Sequence, residues 1–102
     1  MSNWTEVGSV EDIPVLGARV VKNGDQNIAV FRNANNEIFA INDECPHKQG
    51  QLSQGIVHDK SVTCPLHNWR IDLETGEAMG LDKGCTGHYE VKIESGQIFL
   101  DL

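Results

Sequence analysis

A chain of 102 residues has room for a single domain, expected to run from residue 1 to 102, and no second core can form beside it. Hydrophobic residues at 39% and charged residues at 23% are ordinary for a globular protein and too apolar for a disordered one. Fifteen acidic against eight basic residues leave a formal charge of −7, the wrong sign for attraction to phosphate backbones, so no nucleic-acid partner is expected.

In chain order, residues 18–22 form the first short β-rich run. Residues 27–32 and 37–42 are two more, joined by Asn33, Ala34, Asn35 and Asn36, a turn-rich linker that predicts a hairpin. From 43 to 51 the alternation stops, and Cys, His, Pro and Gly replace it; this is a loop. Residues 56–58 and 61–63 flank an Asp59-Lys60 turn, and 65–69 is a second loop. Residues 89–93 alternate, turn at 94–96 and return as 97–100, a last hairpin. No stretch carries helical spacing over more than two turns. The expected class is therefore all-β, small antiparallel sheets with two ligand-bearing loops.

No apolar run approaches the roughly 18 residues that span a bilayer. Residues 1–6 have neither the basic nor the apolar region of a signal peptide, so the expected setting is cytoplasmic, with no membrane partner. Three cysteines, an odd count, suit thiolate ligands in a reducing compartment better than a disulfide framework.

The chemistry is concentrated in Cys45-Pro46-His47 and, after sixteen intervening residues, Cys64-Pro65-Leu66-His67. Each half offers a thiolate and an imidazole, and a hairpin over 52–63 would return the second loop beside the first. Two thiolates and two imidazoles suit either a tetrahedral zinc or a 2Fe-2S cluster, and ligand type alone does not choose.

The spacing Cys-x-His, sixteen residues, Cys-x-x-His resembles the Rieske iron–sulfur proteins, and the resemblance extends over residues 7–102. It implies one 2Fe-2S cluster held by Cys45, His47, Cys64 and His67, and transfer of single electrons. Within that family the run Cys64-Pro65-Leu66-His67-Asn68-Trp69, the stretch 71–78, and Gly84-Cys85 are most similar to the small subunit of assimilatory NAD(P)H-dependent nitrite reductase. Many Rieske ferredoxins of aromatic-ring dioxygenase systems instead have glycine where Asn68 stands. The resemblance implies an oxidoreductase subunit acting beside a large flavin and sirohaem partner that reduces nitrite to ammonia. The alternative is a ferredoxin working between a flavin reductase and an oxygenase.

High-potential respiratory Rieske proteins brace their loops with a cysteine pair and hydrogen-bond the sulfurs through a serine and a tyrosine. The matching positions here are Gly50, Leu66, Trp69 and Ile71, which supply none of these, so the resemblance implies a low potential. It also places His47 and His67 near the tip, with Pro46, Gln49, Pro65 and Leu66 around the edge where electrons leave.

Other residues carry less. Cys85 is expected to be a buried structural thiol, His58 and His88 solvated surface histidines, and Trp69 a packing residue. Lys48 is a single cation near the first ligand loop. No nucleophilic Ser/His/Asp or Cys/His arrangement and no glycine-rich nucleotide loop appears, so the chain is read as having no catalytic residues or substrate site of its own.

Overall fold

A computed structural model describes residues 4–43, 51–64, 70–78 and 86–101. Ten strands and two short 3-10 turns are found there: β1 (Trp4–Ser9), a turn at Val10–Asp12, β2 (Gly17–Asn23), β3 (Gln26–Arg32), β4 (Ile38–Asn42), a turn at Leu52–Gln54, β5 (Ile56–His58), β6 (Ser61–Thr63), β7 (Arg70–Asp72), β8 (His88–Tyr89), β9 (Val91–Glu94) and β10 (Gln97–Asp101). They make three antiparallel sheets, ordered β1-β10-β9, β2-β3-β4-β8 and β5-β6-β7. The all-β class read from the sequence holds.

Tight turns set the register. At Ser95-Gly96, φ of 50° and 78° give both central residues positive values, the combination that matches the twist of a two-residue hairpin, and Glu94 pairs with Gln97. Between β2 and β3 the turn is Gly24-Asp25, with Gly24 at φ 62° and Asn23 opposite Gln26. The β3–β4 hairpin runs from Ile28↔Asn42 to Arg32↔Ile38 around the expected linker.

Four residues of β3, Ile28, Ala29, Val30 and Phe31, are all buried. Alternate side chains point to opposite faces of a strand, so an unbroken apolar run means that both faces are covered. Ala29 and Phe31 join Ile41, Leu52, Val57, Val62, Cys64, Ile71 and Leu73 in one core. Ile28 and Val30 join Ile13, Ala40, Ile98 and Leu100 in the other. The first core lies against the β5-β6-β7 sheet, the second against the β1-β10-β9 sheet. Arg32 ties the second in place: its guanidinium donates to the carbonyls of Val10 at 3.2 Å and Ile13 at 2.9 Å.

The structure departs from the sequence reading in three places. β1 and β7 were not anticipated: β1 is an exposed edge strand with a register shift between Glu6 and Gly8, and β7 is three residues long. The expected strand over 89–93 breaks at Glu90, because Tyr89 and His88 pair with Ala40 and Ile41 whereas Val91 onward pairs with β10. The expected 52–63 hairpin begins only at Ile56, since Leu52–Gln54 is a 3-10 turn closed by Gly55 N–H donating to the Leu52 carbonyl at 2.9 Å.

Candidate metal centre

Cys64 is the one of the four proposed ligands that falls among the described residues; Cys45, His47 and His67 lie outside them. It follows β6 directly, where Val62 points into the core and Thr63 does not, so two-residue alternation turns Cys64 inward. Its side chain is 0% exposed and packs in the core that contains Leu52, Val62 and Ile71. A sulfur there is shielded from water on the protein side, as a thiolate ligand to an iron–sulfur cluster needs to be.

The ends of the segments that carry the proposed ligands are pinned close to one another. Residues 44–50 leave from Asp43, whose buried carboxylate accepts from the Ser53 backbone N–H at 2.7 Å and from the Ser53 hydroxyl at 2.9 Å. Residues 65–69 leave from Cys64 and return at Arg70, which pairs with Thr63 across the β6–β7 ladder. The two bases are joined at Gly55: a Cβ placed there would collide with the Thr63 carbonyl oxygen and sit 3.1 Å from that of Leu52. Ser53, Gly55, Thr63 and Cys64 therefore form one continuous footing. Farther along, Ala78 bridges to Ile71 and the Thr86 N–H donates to the Gly76 carbonyl at 2.7 Å.

This footing and the donor set, two thiolates and two imidazoles, fit a 2Fe-2S cluster. Among the described residues no group of three or more His, Cys, Asp or Glu is arranged to hold a metal. His58 and His88 are exposed, as expected from the sequence. Ile71, one of the four positions at which the respiratory Rieske proteins differ, is fully buried and apolar. Pro46, Lys48, Gln49, Gly50, Pro65, Leu66, Asn68, Trp69 and Cys85 lie outside the described residues.

Sequence reasoning missed Asp43, Ser53 and Gly55. A buried carboxylate has no signature in a period-two pattern; the available signal was an acid two positions before a ligand cysteine. A hydrogen bond from Lys60 to Glu74, Nζ to Oε1 at 3.2 Å, raises the exposed ammonium above its ordinary pKa, with the coulombic pull of Glu74 second. On such an exposed pair solvent screening leaves little effect on stability. Burial raises the Tyr89 phenol, whose hydroxyl donates to Asn42 Oδ1 at 2.6 Å with Gln26 Oε1 at 3.0 Å.

A family model described as a Rieske [2Fe-2S] domain matches residues 3–98. The ferredoxin component of naphthalene 1,2-dioxygenase/salicylate 5-hydroxylase systems from a Ralstonia species is 31% identical, covering 98% of this chain and 96% of that protein. The anthranilate 1,2-dioxygenase ferredoxin subunit of Burkholderia cepacia is 42% identical over 74% of this chain and 69% of its own. Among solved structures, the Escherichia coli protein NirD, a nitrite reductase small subunit, superposes with a TM-score of 0.83 at 27% identity, covering 98% of this chain and 96% of that one.

Proposed function

The chain belongs to the Rieske [2Fe-2S] family and is an electron-transfer protein with a Rieske-type 2Fe-2S cluster, and from that premise we propose that it is the ferredoxin component of a multicomponent oxygenase system, with the cluster on Cys45, His47, Cys64 and His67. When bound, such a cluster accepts and releases one electron at a time. The end-to-end likeness to the Ralstonia ferredoxin component carries the reading, because it spans nearly the full length of both proteins.

The chain's own residues supply the rest of the role. The core around Cys64 excludes water from one side of the site, and the footing fixes the ends of the ligand segments. On the family resemblance, His47 and His67, with Pro46, Gln49, Pro65 and Leu66 beside them in sequence, would give the partner its point of contact. Electrons would arrive from an NAD(P)H-linked flavin reductase and leave to an oxygenase.

A second reading, the small subunit of NAD(P)H-dependent nitrite reductase acting in nitrate assimilation, is supported by Asn68-Trp69 after the second ligand histidine and by the 27% identity to the Escherichia coli protein. There the partner would be a large flavin and sirohaem subunit. Purification from the native host separates the two. A carrier that elutes alone and is reduced by NADH only when a separate flavin reductase is added supports the ferredoxin reading. Stoichiometric copurification with a large sirohaem protein that reduces nitrite overturns it in favour of the second.

A further inference from the structure

We propose that Asp43 is a positioning residue for the cluster, clamping together the two ends of the 44–52 stretch so that Cys45 and His47 stay in register with Cys64. The inference rests on the ligand assignment above. Asp43 is 7% exposed, and both of its oxygens are used: Oδ1 accepts from the Ser53 N–H at 2.7 Å and Oδ2 from the Ser53 hydroxyl at 2.9 Å. Its own N–H donates to the Asn27 carbonyl at 2.8 Å, which fixes the carboxylate to the end of β3.

The position and chemistry point to register as the clamp's purpose. Asp43 and Ser53 are only ten positions apart, and what they bracket is the segment with two of the four ligands. A buried carboxylate is a poor means of gaining stability alone, because desolvation offsets most of what its bonds return. Short bonds to a charged acceptor are directional, however, and two of them to one residue leave that residue little rotational freedom. Ser53 passes the constraint on through Gly55 to the backbone of Thr63, one residue before Cys64. A chain of packed backbone thus links the stem of one ligand pair to the stem of the other.

The test uses the cluster-loaded full-length chain and reads two quantities: the rate at which visible absorbance is lost to an iron chelator well below the melting temperature, and the reduced-state EPR line shape. Asp43→Ala is expected to lose its cluster about tenfold faster or more, with broadened EPR lines, since both bonds to the carboxylate go. Asp43→Asn is expected to rescue both readouts to near wild type, because its amide oxygen accepts from the Ser53 N–H and its NH₂ donates to the hydroxyl. Ser53→Ala, which keeps the backbone bond, should fall between. Asn33→Ala serves as the control, breaking a buried polar knot at the opposite end of β3 and β4; it should lower the melting temperature without hastening cluster loss.

Equal rates in Asp43→Ala and wild type overturn the clamp, as does an Asn33→Ala variant that releases its cluster as fast as Asp43→Ala. If Asp43→Ala does not fold, the order wild type, Asp43→Asn, Ser53→Ala decides, and a Ser53→Ala rate equal to that of wild type overturns the proposal. A wild-type protein isolated without iron overturns the ligand assignment itself, and so separates that failure from failure of the clamp.

Discussion

The Asn33 side chain donates to the Asp59 carbonyl at 3.0 Å across 26 positions of chain, tying the β3–β4 linker to the β5–β6 turn. Asn33 is fully buried, and every one of its side-chain bonds is internal. Nδ2 also donates to Glu37 Oε1 at 3.0 Å, while Oδ1 accepts from the N–H groups of Asn35 at 3.0 Å and Glu37 at 2.8 Å. Asn33→Ala removes all four of these bonds from a buried position and should destabilise the fold by about 2 kcal/mol. For a chain of this size that corresponds to a melting temperature lower by roughly 10 °C. Thermal denaturation checks it, and a fall of less than about 2 °C would show that water takes the amide's place.

Gly55→Ala is expected to damage cluster loading beyond its effect on folding. The added methyl meets backbone oxygens of Thr63 and Leu52 and stands 2.9 Å from Val62 Cγ2, and backbone yields less readily than a side-chain tip. Either the 3-10 turn or β6 must shift, and Cys64 shifts with β6. Iron content per folded chain, measured after matched expression, should drop at least twofold; full occupancy would show that the turn moves instead.

Stability should fall at alkaline pH partly through Tyr89. Burial raises the folded-state pKa of its phenol above the unfolded value near 10. The contribution is therefore fully present below about pH 10 and is lost as pH rises from there through the raised folded value. Urea midpoints between pH 9 and 11 should decline in the wild type and decline less in Tyr89→Phe. Parallel slopes in the two proteins would remove Tyr89 as a source.

The midpoint potential should lie near the low end of the Rieske range, about −150 mV and within roughly 100 mV of it. Ile71 is apolar and sealed between Val62 and Ala78, so it has no hydroxyl to give a sulfur. Trp69→Ser with Ile71→Tyr should raise the potential. A tyrosine at a filled core position carries an overpacking penalty of about 1–3 kcal/mol, so the melting temperature must be followed alongside. The potential should also fall as pH rises through the ionisation of the imidazole ligands, because reduction then takes up a proton. Protein-film voltammetry measures both, and a value near +300 mV at neutral pH would contradict the low-potential reading.

Where local chemistry is strong the fold was legible in the sequence. The Asn-rich linker after Arg32, the Asp59-Lys60 turn and Ser95-Gly96 each announce a hairpin because few residues accept the backbone angles those turns require. The edge strand β1 was not legible, since half-exposed residues carry no clear alternation and its pairing with β10 joins the two ends of the chain. The break at Glu90 was hidden for a related reason: a continuous alternating run does not reveal that its first two residues pair with one sheet and the rest with another. The Cys-x-His and Cys-x-x-His pattern stood out as a candidate because metal chemistry restricts residue type and spacing together. Its footing did not, because Asp43, Ser53 and Gly55 act through tertiary bonds that no spacing encodes.

β3 is a wall shared by two rooms. Its side chains alternate between the core around Cys64 and the core around Ile98, and both of its edges are hydrogen-bonded, to β2 and to β4. Amide hydrogens on such a strand exchange with solvent only when both layers part. Loss of the metal loosens one layer while the other still holds the strand in place, so the apoprotein should keep its slowest-exchanging amides at Ile28 to Phe31 even as those near Cys64 become labile.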